Sequence, residues 1–467
     1  MDEDDYSRIL QGAIKAVRTT GMVMNTWLCG NSCNRKDNDQ EAGKASAAGS
    51  EWEEGFVSRT IFHVDVNSAF LSWSALEQLK EKPGSVDLRT IPSAVGGDVQ
   101  TRHGIITAKS IPAKAYHIQT GEPVAKALEK CPQLVLVRSN FKAYRWYSSL
   151  FISILKEYTD QVEQASIDEA YLDVSGLVHN REEALALAVR IKDTVKSRLG
   201  FTVNVGISEN KFLAKMASDF EKPDRVHTLY PEEIREKMWP LKMRDLFGCG
   251  AATAQQLNEM GFHVIGDLAD CSEQMLKSFL GEKRGEYIHK RVHGIDDSFV
   301  ETARQEAKSY SNETTTAEDI SRENYDRVAV PIIRHLGDKV SQRLKKDGVY
   351  GSTCFVQVKT GGFQRHSRQM RLKHSTNDAK TICDTAFVLM KELTDSLFDE
   401  GEVLRLIGVG MSGLDHGEYR QMGMEDWLKE NEQNRLRSEK KKKLDEMVNK
   451  IRSQYGEGAV FTGHADG

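Results

Sequence analysis

Between positions 61 and 79 the spacing of apolar residues changes period. The run "IFHV" is short and β-rich, and then Ala69, Trp73, Leu76 and Leu79 recur at helical spacing, so Asp65 falls at a strand end. About a hundred residues later, "QVEQASIDEAYLDV" reads as a hairpin. One strand is predicted over 162–167 and a return over 170–174, whose Ala170, Leu172 and Val174 share a face. Asp168 and Glu169 stand at the bend, two charges interrupting an apolar run. A helix over 181–199 follows, with Ala184, Leu187, Ala188, Ile191 and Val195 on one face, and then the strand "TVNVGI". The order β, helical insert, ββ, α, β predicts an α+β layer with helices packed on one antiparallel sheet.

Past Pro240 the stretch "LFGCGAATAQQLNEMGF" sets Gly248 and Gly250 before a short amphipathic helix that ends at Gly261. This is a helix-hairpin-helix pattern whose glycine turn can offer N–H groups to a phosphate, although a plain helical turn has the same letters. A second α+β unit spans 308–414, with a helix over 325–345, strands over 353–359 and 365–372, a helix over 378–398, and the strand "VLRLIGVGM". The middle strand sets Arg365, Arg368 and Arg371 within a few residues of one another, and they are expected to point to one side of the sheet.

Composition narrows the class. A chain of 467 residues, 39% hydrophobic and 28% charged, is of ordinary globular balance and long enough for two to four domains. No window approaches the ~20 apolar residues of a membrane span. The N-terminus, "MDEDDYSRIL", is acidic where a secretory signal would be basic, so a cytoplasmic location is expected. Seven scattered cysteines read as reduced thiols, and the lone close pair Cys29 and Cys33 lacks the second pair a zinc site needs. Residues 1–58 carry six Lys/Arg against ten Asp/Glu and, with the small polar run at 34–55, read as an acidic, partly mobile extension. The net charge of −5 argues against a nucleic-acid partner until its distribution is considered. Residues 343–373 hold eight Lys/Arg and one acid, a net of +7.

Two acids at a hairpin bend are explained by turn preference alone. Asp65, at the end of a strand expected beside that hairpin, changes the reading. Three clustered carboxylates repel one another unless cations neutralise them, and oxygen-rich clusters of this kind hold Mg²⁺ together with substrate phosphates. Two such ions about 3.5 to 4 Å apart clamp an in-line phosphoryl displacement, which points to nucleotidyl transfer.

The segments "FHVDVNSAF", "ASIDEAYLDVSG" and "VNVGISENKFLAKMASDFEKPD" resemble the motifs of the Y-family, or translesion, DNA polymerases, in the bacterial polymerase IV and polymerase V catalytic subunit (DinB/UmuC) group. The resemblance runs in order from about 61 to 414. It implies an α+β right-hand polymerase: a palm (59–68 and 138–235), small fingers (69–137), a helical thumb with the helix-hairpin-helix (236–300), a linker (301–306), an α+β little finger (307–415) and a tail (416–467). It implies an error-prone, template-directed enzyme of the damage (SOS) response, acting on primer-template DNA and dNTPs. The expected form is a monomer with two Mg²⁺ ions, to which accessory subunits could be added.

Matched residue by residue, the resemblance makes Asp65, Asp168 and Glu169 the metal-binding carboxylates, with the Val66 carbonyl as a further ligand. Phe70, which alone reads as a core aromatic on a helix face, takes the position of a gate that leaves no room for a 2′-OH. Lys222 would approach the triphosphate as a point charge, and Ser166 and residues 210–215 would support the site. In the fingers "SIPAKAY" puts Ile111 and Lys114 where relatives carry Tyr and Arg, which leans the chain toward the polymerase V branch. Gly248, Gly250, Lys359, Arg365, Arg368, Arg371, Lys373 and Arg405 would grip the DNA backbone. In the tail, Gln421, Met422 and Met424 resemble a sliding-clamp peptide, although Glu425 replaces its aromatic. Two other readings are weaker: a catalytically silent DNA-damage accessory protein of the same fold, which the loss of a carboxylate would support though all three are present, and a nucleotide cyclase on a related palm layer, disfavoured by the helix-hairpin-helix and the basic segment.

Overall fold

The computed structural model describes residues 59–97, 104–303 and 306–417, with scattered positions between 432 and 454. Strand β1 (Ile61–Val66) is buried along its whole length and leads through a left-handed Ser68 into helix α1 (Ala69–Glu81). A small sheet follows, with β2 (Ser93–Gly96) between β3 (Ile106–Lys109) and β4 (Val135–Val137), and with short helices α2 (Ile111–Lys114) and α3 (Val124–Lys130). Helix α4 (Phe141–Leu155) returns the chain to β1, where β5 (Val162–Gln164), β6 (Glu169–Asp173), helix α5 (Arg181–Leu199), β7 (Val203–Ser208), helix α6 (Lys211–Ser218) and β8 (Val226–Thr228) complete a sheet ordered β5-β6-β1-β7-β8. The sheet is antiparallel as expected except at its edge, where β8 joins β7 in parallel.

The local causes are visible. Helix α5 starts at Asn180, whose side chain accepts from the Glu183 amide, carries Glu182 and Glu183 in its first turn, and stops at Gly200 with φ +76°. Its Ala184, Ala188, Ile191 and Val195 pack on the sheet with Phe62, Val64, Trp73, Phe151 and Val205. Each large side chain buried there contributes about 1.5–3 kcal/mol. The predicted hairpin forms, but its first strand ends at Gln164 rather than 167. The Ser166 hydroxyl captures the amides of Asp168 and Glu169 at 3.2 and 3.0 Å, so residues 165–168 make a side-chain-held turn in place of ladder pairing.

Helix α6 lies directly on β7 at Gly206. A Cβ there would stand 2.0 Å from the Ala214 carbonyl oxygen and 2.5 Å from the Ser218 amide, so only glycine permits this approach.

Helices α7 (Ala251–Glu259), α8 (Glu273–Leu280) and α9 (Glu282–Val292) pack around Leu257, Ile265, Leu268, Leu276 and Ile288. The last unit consists of β9 (Ser309–Ile320), α10 (Tyr325–Lys346), β10 (Tyr350–Thr360), β11 (Arg365–Thr376), α11 (Ala379–Asp399) and β12 (Leu404–Asp415). Its sheet, ordered β11-β10-β12-β9, is antiparallel throughout and carries both helices over a core of Ile333, Leu336, Val356, Met390 and Val409. Strand β9 had no apolar alternation to announce it; "SYSNETTTAEDI" is polar because the strand lies at the sheet edge, where only Tyr310, Thr316 and Ile320 are buried.

The expectation that Arg365, Arg368 and Arg371 share one side is corrected by the register. Arg365 lies opposite Lys359 and Arg371 opposite Thr353, whereas Arg368 lies opposite the fully buried Val356 of the helix-covered face. There it donates to Glu392 of α11 at 2.9 Å. Residues three apart alternate faces in a strand, so the trio divides two and one.

Among the described residues no helix is long and apolar enough to cross a membrane.

Candidate active site

Pairing of β1 with β6 sets Asp65 opposite Glu169, and the Val66 amide donates to the Asp168 carbonyl at 3.0 Å. Three acidic residues therefore stand together at one end of the first sheet. The Ser166 hydroxyl donates to Asp168 Oδ1 at 2.7 Å and fixes that side chain against the turn.

Helix α6 brings the counter-charge. Lys215, 6% exposed, donates from Nζ to Glu169 Oε1 at 2.8 Å and reaches Asp65 Oδ2 at 3.4 Å and Asp219 Oδ2 at 3.2 Å. Lys222 Nζ lies 2.9 Å from Asp65 Oδ2 and 2.8 Å from Asp219 Oδ1. The chain after Lys222 is anchored, since the Asp224 amide donates to Asn67 and its carboxylate accepts from Lys192 and Lys196. Two ammonium groups thus answer three carboxylates.

Burial governs the titration of this cluster. It pushes the Asp65 carboxyl above its ordinary value, outweighing the pull of Lys222 and Lys215. Burial also raises Glu169, but the neighbouring His63 ring and the Lys215 charge together hold that carboxyl well below the usual carboxylate range. Burial alone would lower Lys215, yet Asp65, Asp219 and Glu169 hold it above an ordinary lysine and therefore charged. The fully buried His63 is depressed by burial. Its Nδ1 meets Ser218 Oγ at 2.7 Å, while Nε2, which has no hydrogen-bond partner, faces Glu169 Oε2 at 3.7 Å.

The donor set of Asp65, Asp168, Glu169 and the Val66 carbonyl is the hard-oxygen chemistry that Mg²⁺ favours. Among the described residues, however, no three acidic or imidazole side chains converge as a metal cage. Asp168 is turned to Ser166, and the lysines stand at the oxygens of Asp65 and Glu169. The residues fit a divalent cation by chemistry and adjacency, with ammonium groups supplying positive charge at the carboxylates.

Beside this cluster a pocket of about 160 Å³ is lined by Asn67, Ser68, Ser110, Lys114, Thr202 and Lys222, among others. The fold therefore brings Lys114 and Lys222 to one cavity. Lys114 is placed by the Ser110 cap of α2, whose side chain accepts from the Ala113 amide. Phe70 does not line this pocket; its ring stacks on Tyr144 at 4.7 Å and 11° and meets Phe141 edge-on, which fixes it at the root of α1.

On the other side of Lys222, a groove of about 750 Å³ is lined by Asp219, Arg244, Phe247, Gly248 and Gly250. Gly248 has φ +88°, and a Cβ there would meet the Tyr287 hydroxyl at 2.3 Å. The glycine turn is thus a steric necessity as well as a source of amides.

In the last sheet, Lys359 and Arg405 converge on the exposed Phe363 ring at 5.7 and 5.1 Å. Arg365 lies 3.5 Å from Glu313. Lys373 follows Arg371 on β11. Gln421, Met422 and Met424 lie outside the described residues. Sequence reasoning missed His63 and Asp219. Both could have been found, His63 from its same-face position two residues before Asp65 and Asp219 from its i,i+4 spacing to Lys215.

Comparison with known proteins identifies the family. The impB/mucB/samB family model matches residues 64–219, its C-terminal domain matches 307–424, and a DNA polymerase-iota thumb domain model matches 244–296. A DNA polymerase IV of Clostridium acetobutylicum is 39% identical over 409 residues, covering 87% of this chain and 98% of its own. One of Bacillus velezensis is 32% identical over 408 residues, covering 87% and 92%. Among solved structures, a Y-family DNA polymerase chimera superposes with a TM-score of 0.66 at 24% identity, over 76% of this chain and 98% of its own. These relatives carry the polymerase IV name, so the lean toward polymerase V drawn from Lys114 is dropped. The chain belongs to the Y-family DNA polymerases, in the impB/mucB/samB group that includes the DNA polymerase IV proteins.

Proposed function

We propose that this chain is a template-directed DNA polymerase that adds dNTPs to a primer 3′-OH and extends primers past damaged bases. The observation that carries the reading is the register of β1 on β6, which sets Asp65, Asp168 and Glu169 at one sheet end beside a pocket holding Lys114 and Lys222. Asp65, Asp168 and Glu169, with the Val66 carbonyl, would hold two Mg²⁺ ions. When bound, such ions activate the attacking hydroxyl and stabilise charge on the triphosphate. The chain's own part is orientation: Lys114 and Lys222 act as point charges for phosphates, and Phe70, held by Tyr144, stands as the gate against a ribose hydroxyl.

Lys359, Arg365, Arg371, Lys373 and Arg405 follow the DNA backbone without reading bases, as do the amides near Gly248 and Gly250. Arg368, on the helix-covered face and paired with Glu392, contributes least. The palm takes 59–68 and 138–235, the fingers 69–137, the thumb 236–300 and the little finger 307–415. A monomer in the cytoplasm, with a clamp contact at Gln421, Met422 and Met424, completes the reading. The presence of all three carboxylates together with both lysines favours catalysis over a silent accessory role.

Primer extension on undamaged and abasic templates with Mg²⁺ tests the reading. Asp168→Ala with Glu169→Ala is expected to lower incorporation at least ~10³-fold, a barrier change of about 4 kcal/mol, with DNA affinity kept. Retained incorporation would sink the site assignment. Phe70→Ala is expected to raise ribonucleotide incorporation, and unchanged sugar selectivity would reject the gate.

A further inference from the structure

Lys222 belongs to two sites at once. It lines the pocket that holds Lys114 and also the groove beside the glycine turn, which its partner Asp219 lines too. It is held at 2.9 Å by Asp65 Oδ2 and at 2.8 Å by Asp219 Oδ1. Asp219 in turn shares Lys215, whose other contacts are Glu169 and Asp65. The side chain of Asp65 is 10% exposed and that of Lys222 29%, so this contact is only partly screened by water.

We propose that Lys222 is the resident counter-ion of the catalytic carboxylates, and that Asp219 is a positioning residue that receives it when a divalent cation takes over Asp65. This rests on the polymerase reading and deepens it. The charge inventory gives the reason. Asp65, Glu169 and Asp219 contribute three negative charges, against which Lys215 and Lys222 supply two positive. Lys215 is buried on α6 and stays; Lys222, on a loop and more exposed, is the group that can leave. Asp219 is bound to Lys222 independently of Asp65, so the ammonium keeps a partner as it withdraws and remains at the rim of the pocket where a triphosphate would meet it. Occupancy of Asp65 and availability of Lys222 for phosphate are therefore two ends of one equilibrium, and coupling between them is reciprocal.

The consequence is opposite in sign to that of an ordinary ligand-supporting lysine. Removing Lys222 should tighten binding of a divalent cation to the protein without nucleotide, while weakening binding of the nucleotide. Mn²⁺ titrated into the full chain, with no DNA or nucleotide, and followed by the electron paramagnetic resonance of free Mn²⁺, reads this directly. Lys222→Met is expected to raise Mn²⁺ affinity roughly five- to tenfold, within the range of coupled-site effects. Lys222→Arg, which keeps the charge, should restore the wild-type value. Asp219→Asn, which leaves Lys222 to Asp65 alone, should lower Mn²⁺ affinity severalfold. An unchanged or weakened affinity in Lys222→Met, with a wild-type melting temperature, overturns the counter-ion role. Asp65→Asn serves as the separate control: if Mn²⁺ binding survives it, the metal-site reading itself fails, whatever the lysine variants do.

Discussion

The carboxylate end of the first sheet and the outer face of the last sheet both carry dense charge, and they handle it in opposite ways. Lys215 has a side chain 7% exposed with three carboxylates within 3.4 Å, while Arg365 is 56% exposed with Glu313 at 3.5 Å. Desolvated charges interact strongly and in fixed geometry, whereas exposed ones are screened and free to adjust. Phosphoryl transfer needs the first kind, because the reacting atoms must be aligned before charge develops. A grip on duplex backbone of any sequence needs the second.

The contrast can be tested at three levels. The largest effect is expected from Lys215→Met, which leaves Glu169 without its ammonium partner and Asp65 and Asp219 with Lys222 alone. Breaking a buried pair costs ~3–5 kcal/mol, and the partial exposure of Glu169 and Asp219 reduces that to about 2 kcal/mol. Chemical denaturation should show it, and incorporation should fall with it. No loss of stability would mean that the cluster is as screened as the surface. Next, Arg365→Ala with Arg371→Ala should weaken duplex binding uniformly across sequences and reduce the slope of log affinity against log salt by about two, one per arginine. An unchanged slope, measured by anisotropy titration at several salt concentrations, would remove them from the interface. Smallest is Arg368→Ala: paired with Glu392 on the helix side, it should change that slope by less than either neighbour does.

Much of this architecture could be read from the letters. The hairpin acids, the strand end at Asp65 and the helical face of 181–199 follow from short-range periodicity, and the structure keeps them. What was hidden depends on residues distant in sequence. Lys215 is marked as a support by its motif, but that it neutralises Asp65 from 150 positions away needs the crossing of α6 over β7. Strand β9 is invisible because an edge strand need not alternate. The face of Arg368 follows from strand alternation, once the strand is known to run unbroken through it. Clustering three arginines by sequence proximity alone counted neighbours and missed the pleat.

Gly206 touches no proposed substrate, yet its missing side chain lets α6 deliver Lys215 to the acids. A single added methyl group would press on the helix backbone, and either the helix or the strand would have to shift, at a cost of roughly 1–3 kcal/mol. In a saturation survey scored by survival under DNA damage, that position should behave like a member of the reaction centre. A chemist inspecting only polar groups would overlook it, since what evolution must preserve there is an empty volume.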